Sequence, residues 1–346
     1  MTQRALKRKQ WQINKSRKQI YITTRYNKKI KRALKNKSKY SIKKLKTKNT
    51  VNEKYEIVAP KKFSIICNYD ATIAFFNSIL ELLRVKNKKV VDIYFDISKV
   101  EFITNDAIMY TLALIRNLKS RKGFVYRIFG NSPKNKKANE ILKESGFYKY
   151  VNSSGIMMTP DENKIMICTG CQSNGKVASE ICSFVTSKLK KSRQYTIDLY
   201  GTLIELMSNT FNHAYSNNAE IFEKAWYVYA EFHEDKVKCI FLDTGLGIAK
   251  TVHKKFNEQL KSFFSDSDND CDYIYSAFTG QTLRTRTKLP HRGNGLPHLY
   301  AQCSNGILKE FSVFSGHAKG CYYNNDLIFE YMKTKFNGTL YYWEIY

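Results

Sequence analysis

The sequence predicts an α/β fold with two folded parts that follow a basic N-terminal arm. Its 346 residues suffice for two domains of ordinary size. Short β-type runs alternate with helices of apolar periodicity, which is typical of layered sheets and helices. Hydrophobic residues make up 43% of the chain, enough for packed cores. The predicted bounds are 1–52 for the arm, 53–150 for the first domain, 151–175 for a connector and 176–346 for the second domain.

The N-terminal arm carries most of the net charge of +28. Residues 1–50 hold 19 of the 58 Lys and Arg and none of the Asp or Glu. Because a segment so charged cannot build a core, we expect it to be disordered or partly helical. The charge favours nucleic-acid phosphate as a partner, with binding that weakens as salt rises. Anionic lipid, acidic protein or no partner at all are the alternatives.

Several features indicate a cytoplasmic protein. No stretch approaches the ~18 consecutive apolar residues that a membrane-spanning helix needs. The basic N-terminus also lacks the apolar centre of a signal peptide. The eight cysteines are scattered, mostly within apolar runs, as expected of reduced thiols. One C-x-x-C pair exists, Cys168 and Cys171, but the second ligand pair of a zinc site is missing.

The first domain is predicted to alternate strands with helices. Expected strands are at 55–58, 63–67, 90–95 and 124–129, and expected helices at 71–83, 105–118 and 135–145. The stretch D-I-S-K-V-E-F-I-T-N-D-A-I, residues 96–108, resembles the central motif of STAS domains, the fold of anti-sigma-factor antagonists. That family has a phosphorylatable Ser followed by Gly where this chain has Thr104-Asn105-Asp106-Ala107. Either Asp106 mimics a permanently charged state or the loop is only a scaffold. The resemblance also implies a possible protein partner for this domain.

A polar motif lies on a predicted long helix at 197–215 in the second domain. It reads E-L-M-S-N-T-F-N-H-A and begins at Glu205. Glu205, Asn209 and His213 are four residues apart, so they share one face of the helix. Polar groups among apolar neighbours are costly to bury, which favours a functional role when other motifs accompany them.

Two glycine-containing motifs follow the helix. The stretch D-T-G-L-G-I begins at Asp243, directly after a predicted strand at 237–242. A carboxylate there can accept a hydrogen bond from an exocyclic amine, and glycines allow a tight turn close to a ligand. The stretch R-G-N-G-L-P-H-L begins at Arg292 and opens into a helix. Backbone amides at such a helix start bind phosphate oxygens.

The order and spacing of these three motifs resemble the GHKL, or Bergerat-fold, ATPases. That family includes type II DNA topoisomerases, heat-shock chaperones, histidine kinases and mismatch-repair ATPases. The anti-sigma-factor serine kinases are the branch most similar in pattern, because their first motif reads E-x-x-x-N-x-x-x-H-G/A. The resemblance covers 176–346 and includes F-N-G-T-L at 336–340, which looks like the family's closing strand. It implies an α/β sandwich that binds ATP with Mg²⁺.

The resemblance also implies roles for individual residues. Asn209 would coordinate Mg²⁺, and Glu205 would position or deprotonate the attacking water or hydroxyl. Asp243 would bind adenine, supported by Thr339. The other implied ligands are Gly245 and Gly247 at the base, Gly293 and Gly295 at the phosphates, and Arg284, Arg286 and Arg292, in or next to a lid segment at 249–291, at the γ-phosphate.

Three functions remain open at this point. The first is an ATP-driven conformational switch with slow hydrolysis that acts with a nucleic acid or nucleoprotein. The second is a protein Ser/Thr kinase of the anti-sigma type. The third is a non-hydrolysing nucleotide sensor in a larger bacterial assembly, such as an immunity system. Because GHKL domains often dimerise, we also expect a possible homodimer.

Overall fold

Two large β-sheets and the helices packed on them form the part of the chain that the computed structural model describes. The described residues are 43–45, 53–82, 90–120, 125–151, 161–212, 224–255, 270–280 and 295–346. They all belong to one of two compact units of the chain, the one that comprises 41–256 and 270–346. Helices and strands are mixed throughout, which confirms the predicted α/β class.

The N-terminal half, residues 43–151, is built on a four-stranded sheet. Its elements in chain order are β1 (Lys43–Leu45), β2 (Glu53–Val58), β3 (Lys62–Phe63), α1 (Tyr69–Leu82), β4 (Val90–Asp96), β5 (Phe102–Ile103), α2 (Asn105–Ser120), β6 (Val125–Gly130) and α3 (Lys136–Glu144), with a 3-10 turn at Phe147–Lys149. The sheet order is β1-β2-β4-β6. Strands β2, β4 and β6 are parallel, whereas β1 is antiparallel to β2. Strands β3 and β5 form a separate parallel pair.

Two predictions for this half are wrong in detail. The run 63–67 was expected to be a strand, but only Lys62–Phe63 is extended. A turn follows because Ser64 accepts hydrogen bonds from the backbone N–H groups of Cys67, at 3.0 Å, and Asn68, at 3.1 Å. Residues 43–45 were assigned to a disordered or helical arm, but they form β1 because β2 offers a free edge to pair with. The rest of the predicted arm, 1–42 and 46–52, lies outside the described residues.

The C-terminal half, residues 161–346, is built on a five-stranded sheet. Its elements are β7 (Lys164–Gly170), α4 (Gly175–Leu189), α5 (Arg193–Asn212), β8 (Trp226–His233), β9 (Lys236–Asp243), α6 (Ile248–Lys255), α7 (Asp270–Phe278), α8 (Gly295–Ser304), β10 (Lys309–Tyr323) and β11 (Asp326–Ile345). The order is β10-β11-β9-β8-β7, and all neighbours are antiparallel. Strand β7 was assigned to the connector from sequence, yet it is an edge strand of this sheet.

The two faces of the five-stranded sheet bury different layers of helices. Alternate residues of a strand point to opposite faces. The front face carries Cys239 and Phe241 and is covered by helices of the C-terminal half, among them α4 and α7. The back face carries residues such as Tyr227 and Leu242, which belong to the same buried cluster as residues of α1 and α2.

This buried cluster joins the two halves of the chain. The Tyr110 ring of α2 lies 4.9 Å from the Phe336 ring of β11 and 4.5 Å from the Phe76 ring of α1. Burying one such large side chain contributes about 1.5–3 kcal/mol to folding. The layers therefore lie in the order four-stranded sheet, helices α1 and α2, five-stranded sheet, and helices of the C-terminal half. One continuous core runs through the first three layers. None of the helices in the described ranges is both long and apolar enough to cross a membrane.

Candidate functional site

The first turn of α8 lies directly against the polar face of α5. A Cβ atom added to Gly295 would lie 2.9 Å from Nδ2 of Asn209 and 2.9 Å from Oε2 of Glu205. Glycine is therefore the residue that lets the backbone approach these two side chains. The first amides of a helix have no acceptor within the helix, so α8 presents N–H groups beside a carboxylate and an amide. The first and third motifs thus meet in space.

Glu205 and Asn209 are both half-buried. No residue in the described ranges forms a hydrogen bond with either side chain. A carboxylate oxygen and an amide oxygen are hard oxygen ligands of the kind that Mg²⁺ prefers. These two side chains therefore have the chemistry to bind a cation next to the N-terminal end of α8, and helix N-terminal ends favour anions.

A buried polar seam fixes α8 on α5. Thr202 Oγ1 donates to Oε1 of Gln302 over 2.6 Å, and Nε2 of Gln302 donates to the carbonyl of Asp198 over 2.9 Å. Nε2 of Gln302 also lies 2.7 Å from Nε2 of His298. Thr202 and Gln302 are almost fully buried, so these bonds are shielded from water. The seam sets the register that places Gly295 opposite Glu205 and Asn209.

Asp243 forms a second polar group on the front face, at the end of β9. It pairs in register with Thr339 of β11, and its carboxylate accepts hydrogen bonds from the Thr339 side chain and backbone. The N–H of Gly245 donates to Oδ1 of Asp243 over 2.8 Å. Burial raises the pKa of Asp243 to about 7, although these hydrogen bonds oppose the shift. Asp243 and Thr339 are therefore direct neighbours on adjacent strands.

A bulge in β11 shapes the backbone beside Asp243. Ser315 pairs with Thr339, whereas Gly316 pairs with Phe336, so Asn337 and Gly338 are extra residues on β11. Gly338 has φ +116°, and a Cβ there would lie 2.1 Å from the carbonyl oxygen of Asp243. No side chain fits this position, because the obstructing atom belongs to the backbone. The bulge thus depends on glycine.

The Gly247 turn is held by a residue that sequence reasoning missed. Gly247 has φ +84°, and a Cβ there would lie 2.8 Å from Oγ of Ser315. Ser315 accepts from the N–H of Ile248 over 2.9 Å and donates to the carbonyl of Gly338 over 3.1 Å. Ser315 therefore ties the turn after β9 to the bulge in β11. A serine within a long strand carries no sequence signal for such a role.

The segment 249–291, expected to be a lid, includes helices where it is described. Helix α6 begins just before it, and α7 lies within it. Phe278 of α7 packs edge-on against Phe311 of β10 with ring centroids 5.9 Å apart. Asp270 accepts from the N–H of His317 over 2.6 Å. Part of the expected lid is therefore packed on the sheet. The predicted residues that lie outside the described ranges are His213, Arg284, Arg286, Arg292 and Gly293.

Asp106 lies at the junction that resembles the STAS motif, and it is fully buried. Its carboxylate accepts from the N–H of Ile66 over 2.8 Å, from the N–H of Ala107 over 2.8 Å and from the hydroxyl of Thr104. Burial raises the pKa of Asp106. A carboxyl group that is fully buried and accepts hydrogen bonds from its own turn cannot present a charge to a partner. The contacts favour the scaffold interpretation over mimicry of a charged state.

The site thus consists of two chemically distinct parts. One part, around Asp243 and Thr339, can accept a hydrogen bond in a buried setting. The other part combines Glu205, Asn209 and the start of α8. The described residues contain no cluster of three or more His, Cys, Asp or Glu arranged to bind a metal ion. No protein-family model matches the chain, and no curated protein sequence matches it.

Proposed function

We propose that this chain binds ATP with Mg²⁺ in a GHKL-type site on the front face of its C-terminal sheet. The approach of Gly295 to Glu205 and Asn209 is the observation that carries the proposal. Residues far apart in sequence meet there with the groups that a metal–phosphate ligand requires. Backbone amides at a helix start bind phosphate, and oxygen ligands bind Mg²⁺. In this proposal Asn209 ligates Mg²⁺ and Gly293 and Gly295 contact phosphate.

Asp243 and Thr339 are the proposed adenine contacts. A buried carboxylate accepts a hydrogen bond from an exocyclic amine, which distinguishes adenine from a base that presents a carbonyl there. Gly245 and Gly247 are the proposed residues that shape the pocket of the flat base, and Gly247 is held in its turn by Ser315. Arg284, Arg286 and Arg292 are the proposed contacts of the γ-phosphate.

We further propose that nucleotide binding drives a conformational switch that slow hydrolysis resets. Glu205 is the proposed group that positions or deprotonates the attacking water, since it stands beside the proposed Mg²⁺ ligand Asn209. Nucleic acid or a nucleoprotein is the proposed partner, bound through the basic residues 1–50. A protein Ser/Thr kinase and a non-hydrolysing sensor are the alternatives, and a homodimer remains a prediction. The buried Asp106 disfavours a phosphorylation switch within the chain itself.

Replacing the proposed magnesium ligand tests the binding proposal. Asn209→Ala should abolish Mg²⁺-dependent ATP binding in isothermal titration calorimetry, because the metal loses its protein ligand. Gln194→Ala is the matched control, since Gln194 also carries an amide side chain on α5 but is exposed. We expect this control to bind ATP as the unaltered chain does. Equal affinities in the two variants would overturn the site assignment.

Incubation with ATP labelled at the γ-phosphate separates the three functions. Release of free phosphate supports the switch, label on a protein supports the kinase, and neither supports the sensor. Glu205→Gln should keep ATP binding but lose phosphate release, because the water is no longer activated. Glu180→Gln is the control, as Glu180 is an exposed glutamate on α4. Undiminished release from Glu205→Gln would remove Glu205 from the reaction.

Deleting residues 1–40 tests the nucleic-acid proposal. The deletion stops short of β1, because Lys43–Leu45 pairs with β2. We expect weaker binding of a fluorescent oligonucleotide and a smaller dependence of affinity on salt, since fewer phosphate contacts release fewer counterions. Fluorescence anisotropy at several salt concentrations measures both. A salt dependence that does not change would exclude the arm from binding.

A further inference from the structure

Two segments of the proposed adenine subsite, the bulge in β11 and the loop after β9, form hydrogen bonds with the N-terminal half on the back of the sheet. We infer that Asn77, Tyr110 and Asn117 are positioning residues for the nucleotide, so that the N-terminal half sets nucleotide affinity. The inference rests on the proposed function, because the effect it describes is on ATP binding. It assigns the N-terminal half a part in the site rather than a separate binding role.

The bulge in β11 is held by α1 and α2. The hydroxyl of Tyr110 donates to the carbonyl of Asn337 over 2.7 Å. Asn77 donates to the carbonyl of Lys335 over 2.9 Å and accepts from the Asn337 side chain over 2.8 Å. The segment 335–337 is therefore fixed at both its ends. Gly338 and Thr339 follow immediately, and Thr339 is the residue that hydrogen-bonds Asp243.

The loop after β9 is held by α2. Asn117 Nδ2 donates to Oγ1 of Thr244 over 3.2 Å, and both residues are almost fully buried. Thr244 stands between Asp243 and Gly245 in the chain. Successive side chains of an extended backbone point to opposite sides. Asp243 thus faces the front of the sheet, while the next residue is bonded to a helix on the back.

The chemistry of these contacts indicates positioning rather than bulk packing. Tyr110 lies between the rings of Phe76 and Phe336, where a phenylalanine would fill the same space. A buried polar group is costly unless its hydrogen bond forms, so these side chains favour one placement of the loops over others. Apolar contacts alone tolerate small shifts, which would alter the distance between Asp243 and a bound base.

Helix α2 also links the site to the opposite end of the N-terminal half. It is one continuous helix from Asn105 to Ser120. Asp106 at its start is bonded to the turn at Ile66, and Asn117 near its end is bonded to Thr244. A partner that shifted the junction at 104–106 would move both ends of this helix. Coupling of this kind is reciprocal, so ATP would in turn stabilise the contact between the halves.

Two tyrosines provide a matched test. Tyr110→Phe removes one hydroxyl that bonds a backbone carbonyl at the bulge. Tyr150→Phe removes a hydroxyl that bonds the carbonyl of Ile167 over 2.9 Å, which also joins the two halves but away from the nucleotide loops. We expect similar losses of thermal stability in the two variants. Only Tyr110→Phe should weaken Mg·ATP binding, by about threefold to tenfold, and shift the pH at which binding is half lost.

Each outcome of this comparison is decisive. An unaltered chain that fails to bind ATP overturns the proposed function and the inference with it. An unaltered chain that binds ATP, together with equal affinities and pH profiles in the two variants, overturns the inference alone. If Tyr110→Phe does not fold, Asn77→Ala replaces it, because Asn77 is only half-buried and contacts the same bulge. Weaker binding with a shifted pH profile in Asn77→Ala supports the inference, and an unchanged profile contradicts it.

Discussion

Gly295 and Gly338 are close to atoms of the candidate site for different physical reasons. A side chain at Gly295 would meet the ends of Glu205 and Asn209, which can rotate away. A side chain at Gly338 would meet the backbone of Asp243, which cannot move without the strand. The first glycine therefore keeps two side chains in place, whereas the second keeps a strand in register. A substitution at Gly295 should therefore affect the candidate site, whereas a substitution at Gly338 should affect folding.

Gly295→Ala should fold nearly as well as the unaltered chain but lose ATP binding. The added methyl group would push Glu205 and Asn209 out of position, at little cost to the core. Gly201→Ala is the control on the same seam, because a Cβ there would be 4.0 Å from its nearest neighbour, Nε2 of His298. That change should raise stability by about 0.5–1 kcal/mol, as glycine is unfavourable within a helix. Thermal unfolding and calorimetry measure the two properties, and intact binding in Gly295→Ala would contradict the expectation.

Asp243 should make both stability and ATP affinity depend on pH. Its pKa is raised from an ordinary value of 3.8 to about 7 by burial. Between these values the folded chain holds a proton that the unfolded chain releases, so this group's contribution to stability falls as pH rises. In the proposed adenine subsite the ionised carboxylate accepts the hydrogen bond, so ATP affinity should fall about tenfold per pH unit below the folded pKa. Scanning calorimetry and titration calorimetry between these two pH values measure the stability and the ATP affinity.

The reference for this titration is Asp243→Asn, which leaves the titration of ATP itself unchanged. It should bind ATP more weakly and lose the part of the pH dependence that belongs to the carboxyl group. Identical profiles for Asp243 and its asparagine variant would show that this group does not control binding. The stability profile should differ between the two chains in the same pH range.

At the scale of elements, local pattern predicted the helices and strands but not their partners. Apolar periodicity placed α1, α2 and α5 within a few residues of their observed bounds. It could not separate a strand from a turn at 63–67, because the turn is closed by a hydrogen bond to the Ser64 side chain that no hydrophobic pattern records. The connector prediction fails for β7 because its partner in the sheet, β8, comes more than fifty residues later.

The motifs of the candidate site were readable from sequence, whereas its supports were not. Glu205, Asn209 and Gly295 belong to recognisable local patterns, and the structure brings them together. Ser315 and Asn117 lie in stretches without any such pattern. Their roles depend on strand register and on the packing of a distant helix, both of which are properties of the assembled fold.

Breaking the buried seam between helices α5 and α8 should lower the free energy of unfolding. Thr202→Val removes the donor to Gln302 Oε1 and leaves a buried acceptor unsatisfied, a loss of about 1–3 kcal/mol. Thr186→Val on α4 is the control. Both threonines donate to the carbonyl four residues earlier, but only Thr202 also bonds a neighbouring helix. Urea unfolding measures the two losses, and equal values would show that the seam contributes nothing.

At the scale of the whole molecule, the halves that sequence separates into two domains share a core. Residues 226–230 of β8 and 239–242 of β9 are apolar without interruption, so both faces of each strand carry buried apolar side chains. The sequence does not show that α1 and α2 supply the second covering layer, because no local pattern encodes which surface packs on which. Tyr227 and Leu242 belong to the same cluster as Phe75 and Tyr110.

The shared core predicts that the described halves unfold together. Differential scanning calorimetry of the full chain should show one cooperative transition for this part of the protein. Unfolding of either half would expose the apolar surface that it covers on the other half. A fragment of residues 161–346 should aggregate, since its back face would be uncovered. Two well-separated transitions, or a soluble monomeric fragment with intact β-sheet structure, would contradict a shared core.

The contact between α2 and β11 also has a consequence in time. The first residue of β11 follows the last residue of α2 by 206 positions. At ~5–20 residues per second, the ribosome needs about 10–40 s to add that length. During this interval α1 and α2 are synthesised without the strand that covers them. Folding that depends on such distant contacts is slow, and the exposed surface favours aggregation. We therefore expect the nascent chain to depend on chaperones that hold these two helices until β11 arrives.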